Sequence, residues 1–191
     1  MKFKLTSETK TINGITFFRI EALKDFPNVK TGDKGGWVEK EKKLSQEGNC
    51  WVFGDAWVYG DAQVFGDAQV FGNARVSGNA KVSGNAWVYG DAQVCGNARV
   101  YGDAWVLGNA WVYGNAQVSG NARVSSTEDL ICISGFQYHI TITHQNIVIG
   151  CQIKTYKEWM EVTKEQAVQL GLKEEQFERV RAMIKLVALK S

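Results

Sequence analysis

From Val52 to Val124 a valine falls at every sixth residue, thirteen times without a slip, and twelve Gly-(Asp/Asn)-Ala triplets stand between them. A period this strict fixes the architecture before any other feature is weighed. Each unit is one strand and one turn. Valine is β-branched and suits a pleated, half-buried surface, while the residues beside it point the opposite way. Val therefore points inward. The residue before it (Trp, Gln, Arg or Lys) and the residue after it (Phe, Tyr, Ser, Cys or Leu) point outward. Gly supplies a positive φ, Asp or Asn tolerates the left-handed turn, and the Ala two places before each Val fits the inner corner. One six-residue side cannot bury its valine alone, but three sides closed into a triangle can, so eighteen residues make one coil. Coils then stack at the inter-strand spacing of about 4.8 Å. A helix is excluded, because a Gly in every unit would cost it about 1 kcal/mol each time.

This pattern resembles the hexapeptide-repeat, left-handed β-helix family, with an aliphatic residue at one position, a small residue two before it, and Gly with Asp or Asn between. The expected fold is mainly β: a left-handed parallel β-helix with an N-terminal cap, a small C-terminal antiparallel sheet and C-terminal helices. The expected boundaries are 1–37 for the cap, 38–126 for the β-helix, 127–153 for the sheet and 154–191 for the helical tail. Val38 and Leu44 are six apart, so the frame begins there; Leu44 to Val52 is eight, which places a two-residue insertion at one corner, carried by Gln46–Cys50.

The flanks are read from local signals. Asn13-Gly14 lies between two strand-like pieces, Lys2–Thr6 and Ile15–Ile20, and marks a hairpin. The first 43 residues hold ten Lys/Arg against six acids, a basic rim on the cap. Leu130–Ser134, Phe136–Thr143 and Ile147–Ile153 read as three strands, with Ser134-Gly135 and Gln145-Asn146 at the turns. They are expected to cover the last coil, whose open edge would otherwise invite aggregation. Thr155-x-x-Glu158 and Thr163-x-x-Gln166 are capping boxes. Gly171 stops a helix. From about Lys173 to Leu189, Phe177, Val180, Ile184 and Val187 form one helical stripe.

The lead-in VKTGDKGGWVEKEKKLSQEGNCWV (residues 29–52), followed by Gly-(Asp/Asn)-Ala hexads, resembles a group of uncharacterised bacteriophage and prophage proteins. GCQIKTYKEW at 150–159 extends the likeness. Members of that group are often labelled transferase-like from their repeats. The resemblance implies a phage-type origin and a trimeric β-helix.

Composition sets limits. With 22 Lys+Arg against 20 Asp+Glu there is no global charge to attract a nucleic acid polymer. Cys50, Cys95, Cys132 and Cys151 have no CxxC spacing, so neither a zinc nor a redox motif is supported. No apolar run is long enough for a signal peptide or a membrane span, and the expected place is the cytoplasm, the host's if the chain is phage-encoded.

Function must then lie in the outward columns, because residues 18 apart share a face. The first face carries Trp51, Gln69, Trp87, Trp105 and Arg123 beside Phe53, Phe71, Tyr89, Leu107 and Ser125. The second carries Trp57, Arg75, Gln93 and Trp111 beside Tyr59, Ser77, Cys95 and Tyr113. The third carries Gln63, Lys81, Arg99 and Gln117 beside Phe65, Ser83, Tyr101 and Ser119. The first is an aromatic slab larger than a soluble monomer ordinarily exposes. Apolar faces flanked by polar ones suit a closed homotrimer. Trp and Tyr stack on planar rings, and Arg and Lys hold phosphates.

Trp87, Trp105, Tyr89, Arg75, Arg99, Tyr101, Trp111 and Arg123 are therefore the candidate binding residues, for a small anionic, nucleotide-like ligand. No cofactor and no metal is expected. Hexapeptide-repeat acyltransferases resemble this chain in the helix and usually need a His base; here His139 and His144 both lie after the repeat. The Asp corners are weak acid–base candidates, since Asn replaces Asp at seven of the twelve. A non-catalytic binder, in phage terms a sponge for a host defence signal, is the leading expectation. An acyl-CoA-dependent acyltransferase and a structural phage protein are the alternatives.

Overall fold

A computed structural model of the chain describes residues 1–133 and 138–188. Ser134, Gly135, Phe136 and Leu189, and the side chain of Val187, lie outside the described residues. The protein is mainly β, a parallel β-solenoid of about five turns. Thirteen two-residue strands, β4 (Trp51–Val52) to β16 (Arg123–Val124), recur every six residues and pair in parallel with the strands 18 residues away, Trp87 with Trp105 and Val88 with Val106 for example. The thirteen valines, with the twelve alanines and Cys50 that stand two places before them, are buried and form one continuous core. The turn glycines have positive φ; at Gly84 (φ +67°) an added Cβ would stand 2.8 Å from the nitrogen of Gly102 in the next coil. Glycine is required there by both conformation and space.

The corners carry a second pattern. Stacked 18 apart, they read Asp55, Asn73, Asp91, Asn109; then Asp61, Asn79, Asn97, Asn115; then Asp67, Asn85, Asp103, Asn121. No Asp has an Asp directly above or below it. Instead an Asn amide donates to the oxygen of the next rung: Asn73 to Asp91 at 3.0 Å, Asn85 to Asp103 at 2.9 Å, and Asn79 to Asn97 to Asn115 at 3.0 Å each. The Asp/Asn choice therefore keeps carboxylates from stacking at coil spacing.

The N-terminal hairpin, β1 (Phe3–Ile12) and β2 (Ile15–Ala22), turns at Asn13-Gly14, both with positive φ. β3 (Lys34–Val38) joins it to the second face, with Trp37 paired to Trp57 and Val38 to Val58. Leu44 bridges Val64 on the third face. Both partners lie 20 residues on, so the two-residue insertion falls between Leu44 and Val52, as the frame requires.

The stack has a direction. Where at least one partner lies outside the paired dipeptides, inter-coil backbone bonds run from an N–H of one coil to a carbonyl of the next: Trp51 to Ala68 at 3.1 Å, Phe53 to Val70 at 2.8 Å, Asp55 to Gly72 at 3.2 Å. At these positions the first coil presents carbonyls and the last presents N–H groups, and each end is closed by the matching chemistry. At the first coil the buried Lys2 ammonium donates to the carbonyls of Cys50 (2.8 Å), Glu47 (3.3 Å) and Gly48 (3.3 Å), and lies 3.3 Å from the Cys50 sulfur. Burial pushes its pKa below the ordinary lysine value. At the last coil, oxygens receive the donors: Thr141 Oγ1 from Gln117 N–H (3.0 Å), Gln145 Oε1 from Arg123 N–H (3.2 Å), and Asp129 from the N–H groups of Ser125 (2.7 Å) and Ser126 (2.9 Å).

The C-terminal sheet has four strands where three were expected: β17 (Ile131–Ile133), β18 (Ile140–Ile142), β19 (Ile147–Ile149) and β20 (Gln152–Lys154), antiparallel in that order. The segment Ile147–Ile153, read as one strand, contains a turn at Gly150 (φ +60°). Both faces of β18 are buried, Ile140 and Ile142 on one side and Thr141 on the other, against the last coil. Helices α1 (Tyr156–Glu161) and α2 (Lys164–Gln169) begin at the two capping boxes, both formed. α3 (Glu174–Ala188) lays Phe177, Val180 and Ile184 on Trp159, Leu172 and the sheet isoleucines, a second core. The stripe thus packs within the chain, on the sheet. Among the described residues no helix is long and apolar enough to cross a membrane.

Candidate ligand-binding groove

The eight predicted binding residues divide among all three faces. Trp87, Tyr89, Trp105 and Arg123 share the first. Trp87 stacks on Trp105 at 5.2 Å and 6°, Phe71 on Tyr89 at 5.1 Å and 6°, and the Arg123 guanidinium lies 4.4 Å from the Trp105 ring. These rings stack along the solenoid axis on one another, so both faces of Trp105 are already covered by its own column. The lowest rung, Trp51, is buried by Phe3 and Phe26 of the cap rather than displayed.

Arg75 and Trp111 belong to the second face. Arg75 borders a small cleft of about 160 Å³ with Phe17, Trp57 and Tyr59. Trp111 stands in the open, its Nε1–H 3.2 Å from the Cys95 sulfur. Below them the hairpin covers the face: Phe17 meets Trp57 edge-on at 4.6 Å, and Lys10 and Arg19 lie 4.2 and 5.0 Å from the Trp37 ring.

Arg99 and Tyr101 lie on the third face, beside a larger concavity that brings two cations together with aromatic rings. An open groove of about 760 Å³ runs between this face and the C-terminal sheet. The solenoid wall provides Phe65, Lys81, Ser83, Arg99, Tyr101 and Gln117; the sheet provides Tyr138, His139, Gly150, Cys151 and Ile153. Lys81 and Arg99 are directly paired on adjacent strands, and both are exposed. No carboxylate is among the lining residues. The Tyr101 hydroxyl donates to Gln117 Oε1 at 3.2 Å, which fixes that ring. Such a cleft offers an anion two cations with no carboxylate in its lining, and a planar group two aromatic rings.

Sequence reasoning named Arg99 and Tyr101 and placed Lys81, Phe65 and Ser83 in the columns of that face, but did not bring His139 and Cys151 beside them. Their position depends on how the sheet folds back over the last coil, which the repeat does not encode. His144 is elsewhere, 3.1 Å from Asp129 in the end cap. Among the described residues no group of three or more His, Cys, Asp or Glu side chains is placed to hold a metal ion.

The class that fold and groove define is a capped parallel β-solenoid with a basic, aromatic cleft against its terminal sheet. The repeat agrees with known proteins: the model described as "YdcK Beta solenoid repeat" matches residues 68–83, 74–90, 80–96, 92–108 and 116–126. The chain is 35% identical over 60 residues to a protein of Escherichia coli (strain K12) named "Uncharacterized acetyltransferase YdcK". That match covers 27% of this chain and only 18% of the relative's length.

Proposed function

We propose that this chain is a non-catalytic binding protein that holds a small anionic, ring-bearing ligand of the nucleotide type in the third-face groove. One observation carries the reading: Lys81 and Arg99 stand side by side in a cleft that Phe65 and Tyr101 also line and no carboxylate does. The resemblance of the lead-in to phage proteins gives the concrete version, sequestration of a nucleotide signal used in host defence. In this reading three copies form a ring through the aromatic first face, in the host cytoplasm. Calorimetric titration with a panel of nucleotides and cyclic dinucleotides tests it. Binding that is lost in Lys81→Ala/Arg99→Ala is expected; no heat from any of them with the folded protein refutes it.

A second reading, acetyl transfer from acetyl-CoA, is favoured by the printed name of the relative and by His139 on the groove wall. In that role the imidazole would take the proton from an acceptor amine or hydroxyl as the acyl carbon is attacked. Release of free CoA thiol that requires His139 would replace the first reading by the second.

A further inference from the structure

The outward column on the third face reads Phe65, Ser83, Tyr101: ring, serine, ring on successive coils. The equivalent column on the first face reads Phe53, Phe71, Tyr89, and there the rings follow one another at 6.2 and 5.1 Å, the second pair parallel within 6°. A ring at this position therefore meets the ring of the next coil when there is one. On the third face the middle rung is missing. Phe65 and Tyr101 are two coils apart, about 9.6 Å by strand spacing. A planar ring placed midway would lie about 5 Å from each, within the favourable range for aromatic pairs. The second face offers no such gap, since Tyr59 and Tyr113 are separated by two non-aromatic rungs, Ser77 and Cys95.

We propose that the vacancy over Ser83 is a stacking subsite that takes one planar ring of the ligand, sandwiched between Phe65 and Tyr101 as a substitute rung. This rests on the binding reading above and specifies it. Phe65 is 39% exposed and lines the open groove. Lys81 and Arg99 precede Ser83 and Tyr101 by two residues on the same strand side, about 6.6 Å along the strand. A ring in the vacancy would hold its anionic group over those two cations. The ligand class is therefore a single planar ring system with an anion roughly one sugar away, as in a nucleoside monophosphate or one half of a cyclic dinucleotide. Two rings stacked on each other would not fit one missing rung.

The test uses adenosine 5′-monophosphate as probe, with ribose 5-phosphate as the ringless control, on the full chain and on Ser83→Phe. Phenylalanine at that position completes the ladder. It is expected to raise the unfolding temperature by about 2–4 °C, as one added aromatic pair would in a chain of this size. It should also weaken adenosine 5′-monophosphate at least about tenfold, the scale of one lost base–aromatic stack. Ribose 5-phosphate should bind wild type and Ser83→Phe equally. A Ser83→Phe variant that is less stable than wild type, or that binds the nucleotide as well as wild type does, overturns the subsite. If that unimpaired binding is still abolished by Lys81→Ala/Arg99→Ala, the groove stands and the sandwich alone is wrong. If wild type binds neither probe, the groove reading falls with it.

Discussion

Replacing Asn85 by Asp tests whether the corner columns are tuned electrostatically. Asn85 lies between Asp67 and Asp103 in its column and donates to Asp103 Oδ1 at 2.9 Å. Asn85→Asp removes that donor and stacks three carboxylates at coil spacing. At about 4.8 Å each like-charge pair costs on the order of 1 kcal/mol in water. The lost hydrogen bond adds about 1 kcal/mol. The total is roughly 2–3 kcal/mol near neutral pH and low salt, which salt should reduce. Asn97→Asp is the control: its neighbours are Asn79 and Asn115, so no carboxylate is stacked, and the Asn79 amide still has an acceptor. It loses its own donation to Asn115 Oδ1 and should cost about 1 kcal/mol, the hydrogen-bond part alone. Urea unfolding of both variants at pH 7 and again near pH 3.5, where the added charges are largely protonated, reads the difference. Equal destabilisation of the two at pH 7, or a penalty for Asn85→Asp that persists unchanged at low pH, refutes the argument.

Three further outcomes follow from the ends and the turns. Lys2→Met should destabilise the cap by about 1–3 kcal/mol, because the carbonyls of Cys50, Glu47 and Gly48 lose their donor; thermal melting checks it, and no change would mean that other donors serve them. Burial alone would raise the pKa of Asp129, but its bonds from the Ser125 hydroxyl and N–H, the Ser126 N–H and His144 outweigh that and hold the carboxyl well below its ordinary 3.8. Its folded-state value is thus depressed, so its contribution is complete above the unfolded value and is lost as pH falls below it. Asp129→Asn should show a shallower loss of stability on acidification from about pH 5 to pH 2 than wild type, measured by urea midpoints. Gly84→Ala should cost about 2 kcal/mol or more, because it combines positive φ with a Cβ 2.8 Å from the Gly102 nitrogen; a circular-dichroism melt unchanged from wild type would contradict that.

Much of the fold is written locally. The valine period states the parallel coil, and the eight-residue step from Leu44 to Val52 states the one insertion, because each inward residue must meet its counterpart in the core. The capping boxes at Thr155 and Thr163 are equally local. The fourth strand of the terminal sheet is hidden because Ile147–Ile153 has Gln152 as its one polar side chain, so only Gly150 marks the turn. The binding residues were legible as types but not as a place. Stacked columns tell which residues share a face, yet not that the cap buries Trp51, that the first-face rings cover one another, or that the terminal sheet folds beside the third face to make the groove. The one local sign of the groove is the serine between Phe65 and Tyr101, and it acquires meaning only beside an unbroken ladder such as Phe53–Phe71–Tyr89.

The most direct test of the account is a crystal structure of the full chain grown with adenosine 5′-monophosphate. The account predicts the base between Phe65 and Tyr101, above Ser83, with the phosphate on Lys81 and Arg99. A nucleotide seated on the first-face Trp87–Trp105 ladder instead, or a third-face groove left empty at saturating nucleotide, would contradict it.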